Sequence, residues 1–138
     1  MKKILISGIV AGIVMFIVSM IFSMLSGAIL PSLTVEYENS ALFRPWSDPL
    51  MSLFFLYPFL LGLVLAWAWD KTKGLVPGRA FWEKGALFGA AFILISIIPG
   101  MFMSYSSFQV SFAMVLSWTI SSLLQVVCAG MVFAKMNE

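Results

Sequence analysis

Long apolar runs alternate with short polar or turn-forming stretches along this chain, and the first run, 4–30, carries no charge at all. A helix of that length reaches about 40 Å at a rise of about 1.5 Å per residue, more than a hydrocarbon core of about 30 Å. The run therefore predicts a membrane-spanning helix that tilts, or whose last turn leaves the lipid. Pro31 ends it and opens a polar connection that lasts to Asp48. Ser47 or Asp48 before Pro49 is a helix-start signal, because a side-chain oxygen accepts from free amides there and proline loses nothing at the first helical position. A second helix follows over 49–69, with Pro58 removing one backbone bond near its middle and predicting a kink. The charged, turn-rich stretch 70–84 separates two hairpins. A third helix is expected over 80–103, bent or ended late by Pro99 and Gly100, and after the link 104–107 a fourth over 109–135. The pattern predicts an all-α fold: one integral membrane four-helix bundle spanning 1–138 as a single domain.

Within the first run, Gly8, Gly12, Met15, Ser19, Ser23 and Ser26 recur at spacings of three and four, which gathers mostly small side chains on one helix face. Such a face lets a second helix approach closely. Sliding the third helix onto the first by 77 positions aligns Gly8 with Gly85, Gly12 with Gly89 and Ser19 with Ser96. These six are the expected packing positions. The alignment suggests two similar hairpins related by a pseudo-two-fold axis along the membrane normal.

Composition sharpens the picture. With 62% hydrophobic and 10% charged residues, and a mean hydropathy of +1.04, the chain cannot be a soluble domain with a polar coat. A net charge of +2 gives no reason to expect a nucleic-acid partner. The distribution of charge says more: Lys2, Lys3, Lys71, Lys73, Arg79, Lys84 and Lys135 fall on one side of the expected topology and only Arg44 on the other. Cytoplasmic segments carry the basic excess, so both termini are expected in the cytoplasm, with the chain integral to the cytoplasmic (inner) membrane. Trp67, Trp69 and Trp82 then fall near the inner interface, and Tyr37, Trp46 and Tyr105 near the outer one. The first run is too long for a cleaved secretory signal, whose apolar region needs about 7–15 residues.

Arg44, Pro45 and Asp48 form an Arg-Pro-x-x-Asp motif; Gly62 precedes Trp67 and Trp69, and Phe81 precedes Gly85 and Gly89. In this order the chain resembles a family of small bacterial four-span membrane proteins, a domain of unknown function. The resemblance implies architecture and supplies no activity. Pro49 and Pro58 depart from its pattern.

The missing residue types exclude several chemistries. There is no histidine and only one cysteine, Cys128, so intramolecular disulfides, paired-cysteine redox centres, ordinary haem ligation and histidine metal sites are ruled out. No carboxylate falls mid-span, as proton-coupled carriers of this size need. The methionines fill apolar gaps more readily than they bind copper(I) without histidine beside them. No cofactor, metal or enzymatic activity is expected.

Two places are candidates for contacts with a ligand or partner. Ser117, Ser121, Gln125 and Cys128 form a polar line on the fourth helix, either a pocket wall or a set of interhelical hydrogen bonds. In the outer connection Arg44 and Asp48 stand four apart, close enough to pair in a helical turn, with Trp46 as an aromatic anchor; a solvated loop is the plain alternative. The leading functional expectation is a non-enzymatic protein that acts by association in the lipid bilayer, as a homo-oligomer or within a membrane-protein complex. The alternative is an oligomeric carrier or channel for a lipid or small apolar molecule. A polar line that faces a cavity favours the alternative.

Overall fold

A computed structural model describes residues 1–137. Its helices are α1 (Lys2–Ile29), α2 (Pro31–Tyr37), α3 (Leu53–Thr72), α4 (Phe81–Phe92), α5 (Ile98–Ser107) and α6 (Phe112–Met136), and the described residues contain no strand. Short 3₁₀ turns, Pro49–Ser52 and Lys73–Leu75, extend α3 at both ends, and a π-helical segment, Ile93–Ile97, joins α4 to α5. Four continuous helical stretches, Lys2–Ile29, Pro49–Leu75, Phe81–Ser107 and Phe112–Met136, are long and apolar enough to cross a membrane.

Local chemistry explains the boundaries. The residue before a proline is pushed out of the helical region, and Leu30 accordingly leaves it at φ −126° and ψ 80°. Pro31 then takes the first position of α2, so the proline that stops one helix starts the next. Asp48 accepts from the Leu50 N–H at 2.9 Å, the expected cap ahead of Pro49. Gly78 turns the chain at φ +132°, and the Glu83 carboxylate accepts from the N–H groups of Arg79 and Ala80 to close the start of α4. Pro58 lies inside an unbroken α3.

The third span passes Pro99 and Gly100 without ending, and runs on to Ser107, taking in the expected link 104–107. A proline ring meets the carbonyl four residues before it. Here the preceding turn is widened, with the Ile98 N–H bonded to the Ile93 carbonyl.

The helices pack antiparallel in two pairs, α1 with α3 and α4 with α6, and the pairs join where α1 lies against α6. Both termini therefore sit at one end, called proximal here, and the connections 30–52 and 108–111 at the distal end. A Cβ on Gly62 would overlap the Gly8 carbonyl oxygen, and one on Gly8 would come within 2.9 Å of the Leu63 Cα. In the other pair, a Cβ on Gly85 would lie 2.6 Å from the Met131 nitrogen and one on Gly130 2.8 Å from the Gly85 oxygen. Gly12 and Gly89 repeat the contact one turn on, against Phe59 and Val127. Four of the six expected packing residues, Gly8, Gly12, Gly85 and Gly89, thus sit at helix crossings. Ser19 instead donates to the Phe16 carbonyl of its own helix, and Ser96 is exposed.

Between the pairs the proximal half is filled by aromatic rings. Trp69 and Phe88 stand edge to face at 5.3 Å, and Phe133 packs on both at 6.2–6.3 Å. Ala11, Met15, Leu65 and Val126 complete this core with no exposed surface. Ser7, Gly8, Ala11, Gly12 and Met15 are buried in the proximal half of α1, whereas Ser23 in its distal half is exposed. The bundle is tight at one end and looser at the other.

Filling either glycine seat should loosen the whole bundle. Gly62→Val and Gly130→Val are each expected to cost about 1–3 kcal/mol of stability through overpacking, read as a lower unfolding midpoint in mild detergent. Gly74→Ala, at a position with open space around it, should leave the midpoint unchanged. Equal midpoints for all three would show that the crossings do not hold the fold.

Candidate functional site

Gln125 lies near the middle of α6 and is 9% exposed. Its Nε2 donates to the Ser121 hydroxyl at 3.0 Å, one turn back on the same helix. A carboxamide offers two donors and an acceptor, so this bond leaves one N–H and the carbonyl oxygen over. Gln125 borders a cleft of about 330 Å³ between α3, the α4–α5 span and α6. Ser122 stands beside Gln125 on the α6 wall. Across from them run Ser96, Gly100 and Ser104, spaced by four so that small residues face the space, with Tyr57 on the α3 side and Leu61, Phe92 and Val126 toward the core. A Cβ at Gly100 would meet nothing within 4 Å, and Tyr57 and Ser96 are exposed, so the cleft opens sideways out of the bundle.

A second cavity of about 220 Å³ lies distal to the first, bordered by Leu42, Phe43, Phe108, Val110 and Trp118. Ser104 borders both. Trp118, Ser122 and Gln125, spaced four and three, share one face of α6 and run from the second cavity into the first.

The roof of the distal cavity is a folded segment, where the sequence suggested a polar connection. Leu33 of α2 is buried against Val110, Met114 and Val115. Glu36 accepts from the Ser111 N–H at 2.7 Å and from the Ser111 hydroxyl at 2.6 Å, and that hydroxyl accepts from the Met114 N–H at 3.1 Å. A carboxylate thus joins the cap of α6, where free amides and the helix dipole favour negative charge. The Trp118 indole N–H donates to the Tyr37 hydroxyl, and burial pushes the Tyr37 phenol above its ordinary value.

Of the line read on the fourth helix, only Gln125 borders the cleft. Ser121 is its hydrogen-bond partner, Ser117 borders neither cavity, and Cys128 is half-buried away from both. Ser122 escaped the sequence reading, although its place on the Trp118 and Gln125 face could have been read from their spacing. Ser96, expected to pack helices, borders the cleft instead.

The outer candidates form a separate group. Arg44 Nη1 meets Asp48 Oδ2 at 2.8 Å, the pairing the spacing suggested, but on a turn closed by the Asp48 N–H on the Pro45 carbonyl. Trp46 rests edge-on against Phe54 at 5.7 Å and near Phe55, with most of its surface exposed. None of the three borders either cavity.

No lysine, arginine, aspartate or glutamate borders the two cavities, and among the described residues no three histidine, cysteine or carboxylate side chains come together. The cleft therefore offers neutral donors and acceptors on an apolar ground. It can orient an uncharged polar group, and it holds no carboxylate to move a proton. Searches against protein-family models, curated proteins and solved structures find no match to this chain.

Two outcomes test the distal geometry. Ser111→Ala should cost about 1 kcal/mol as a lost cap and speed hydrogen exchange at the Met114 amide; unchanged exchange there would remove the cap from the account. Asp48 is held below the usual carboxylate range by the Leu50 N–H first and the Arg44 guanidinium second. Its contribution to stability is present above the unfolded value of about 3.9 and is lost as pH falls through the lower folded one. The protection of the Leu50 amide, taken against its intrinsic exchange rate at each pH, should fall on acidification, and Asp48→Asn should abolish that acid dependence.

Proposed function

We propose that this chain is a non-enzymatic integral protein of the cytoplasmic membrane, with both termini in the cytoplasm, that binds a small amphipathic molecule in the cleft beside Gln125. The observation that carries the reading is the Gln125 carboxamide: nine-tenths buried in an apolar helix, hydrogen-bonded to Ser121 of that same helix, and bordering an open cleft. A neutral polar group left without partners away from water costs about 1–3 kcal/mol by protein mutational data, which an occupant with a matching group would recover. The topology rests on the basic residues, seven at the proximal end against Arg44 at the distal one. The proximal end is then cytoplasmic and the cleft opens toward the outer leaflet.

Association is the second reading, and one observation favours it. Ser23, in the distal half of α1, is exposed, so it is free to receive a second copy or a larger membrane complex. A repeat of two hairpins fits either reading, since each pair closes on a glycine seated against its partner's glycine backbone. The join between hairpins is less even: α1 lies against α6 closely, while α3 and α4 meet through Trp69 and Phe88.

Native mass spectrometry of the protein, extracted gently from its own membranes, separates the readings. A retained small molecule that is lost in Gly100→Leu, where the new side chain enters open space, and kept in Ser117→Ala would support the cleft. A homo-oligomer or complex with no retained molecule, unchanged by Gly100→Leu, would overturn the cleft in favour of association.

A further inference from the structure

Resting on the cleft reading, we infer that the occupant is an uncharged lipid with a hydroxyl or carbonyl head, drawn from the leaflet at the distal end, its head at Gln125 and Ser122 and its body leaving between α3 and α5. The polar inventory decides the charge. Every polar side chain bordering the cleft, Tyr57, Ser96, Ser104, Ser122 and Gln125, is neutral, and none brings the opposite charge that a phosphate or an ammonium would need to form an ion pair. Desolvating a charged head at this depth costs several kcal/mol without an opposite charge. A hydroxyl or carbonyl needs only one or two hydrogen bonds, which the spare N–H and carbonyl of Gln125 and the Ser122 hydroxyl can make.

The size and openings decide the rest. About 330 Å³ is the low end of the range for a drug-sized ligand and holds a head and the start of a chain. The remainder of a lipid must lie outside, and the small-residue wall of Ser96, Gly100 and Ser104 opposite Tyr57 leaves the side open for it. Beyond the head, the way toward the proximal end is closed by Trp69, Phe88 and Phe133. A molecule that enters must leave as it came, so the cleft is a one-sided receptor and not a pore. The distal cavity, which shares Ser104 with the cleft, lies on the same side of that aromatic block.

The test uses the full chain, delipidated and offered dioleoylglycerol, a short-chain ubiquinone or phosphatidylglycerol, with adducts read by native mass spectrometry. Gly100→Leu and Gln125→Leu are compared with the unaltered protein and Ser117→Ala. Retention of dioleoylglycerol, reduced about tenfold in Gln125→Leu as expected for losing one to two hydrogen bonds' worth of affinity and reduced as well in Gly100→Leu, whose side chain fills the space, supports the inference with a hydroxyl head. The same pattern with ubiquinone supports it with a carbonyl head. Phosphatidylglycerol retained in preference to both and lost in Gly100→Leu overturns the inference and leaves the cleft standing as a binding site. Adducts with all three that neither cleft variant changes overturn both. Unaltered unfolding midpoints in the variants exclude misfolding as the cause, and Gly100→Leu adds a better helix former at a site with room for it.

Discussion

Apolar helices in lipid gain little from hiding apolar surface, since lipid tails are as apolar as leucine; what holds them together is close backbone contact. In this chain that contact is the seat of Gly62 on Gly8 and Gly12, matched by Gly130 on Gly85. Everything else follows from where the seats lie. They sit toward the end that carries the termini, so the helices converge there and Trp69, Phe88 and Phe133 fill what is left between the pairs. Away from the seats Gly100 meets no partner within 4 Å, and the gap between α3 and α5 is the cleft.

The distal end is held by different chemistry. Where backbones no longer touch, a charge-assisted cap takes over: Glu36 reaches Ser111, Leu33 fills an apolar niche, and Tyr37 and Trp118 share a hydrogen bond. The two halves thus answer to different perturbations. The proximal core depends on volume, while the distal half depends on a carboxylate near the helix end, where screening weakens it.

Much of the architecture was legible in the sequence because it rests on short-range rules. Run length and charge gave four helices, Asp48 before Pro49 gave a cap, and the Gly-x-x-x-Gly spacing at Gly8 and Gly12 and at Gly85 and Gly89 gave the close-packing faces. What escaped depends on contacts made across the fold. Pro31 reads as a stop, and only the docking of Leu33 and Glu36 on α6 makes it also a start. Single glycines such as Gly62 and Gly130 carry no periodic signal of their own, so their seats emerge only when the partner helix is in place. On α6 the line of Ser117, Ser121, Gln125 and Cys128 left out Ser122: Ser121 accepts from Gln125 on the same helix, while Ser122 borders the cleft.

The link between Glu36 and Ser111 joins residues 75 positions apart. During synthesis the first pair of helices can close on its glycine seat as soon as α3 is made, but Glu36 has no amide to meet until α6 has been made. The segment from α2 to Asp48 must wait through the making of α3, α4 and α5 before it has anything to dock on. Assembly of the distal end is therefore a late event that reports arrival of the fourth span. A ribosome stalled before α6 would leave this segment undocked, accessible to proteases and chaperones while the first hairpin is already closed.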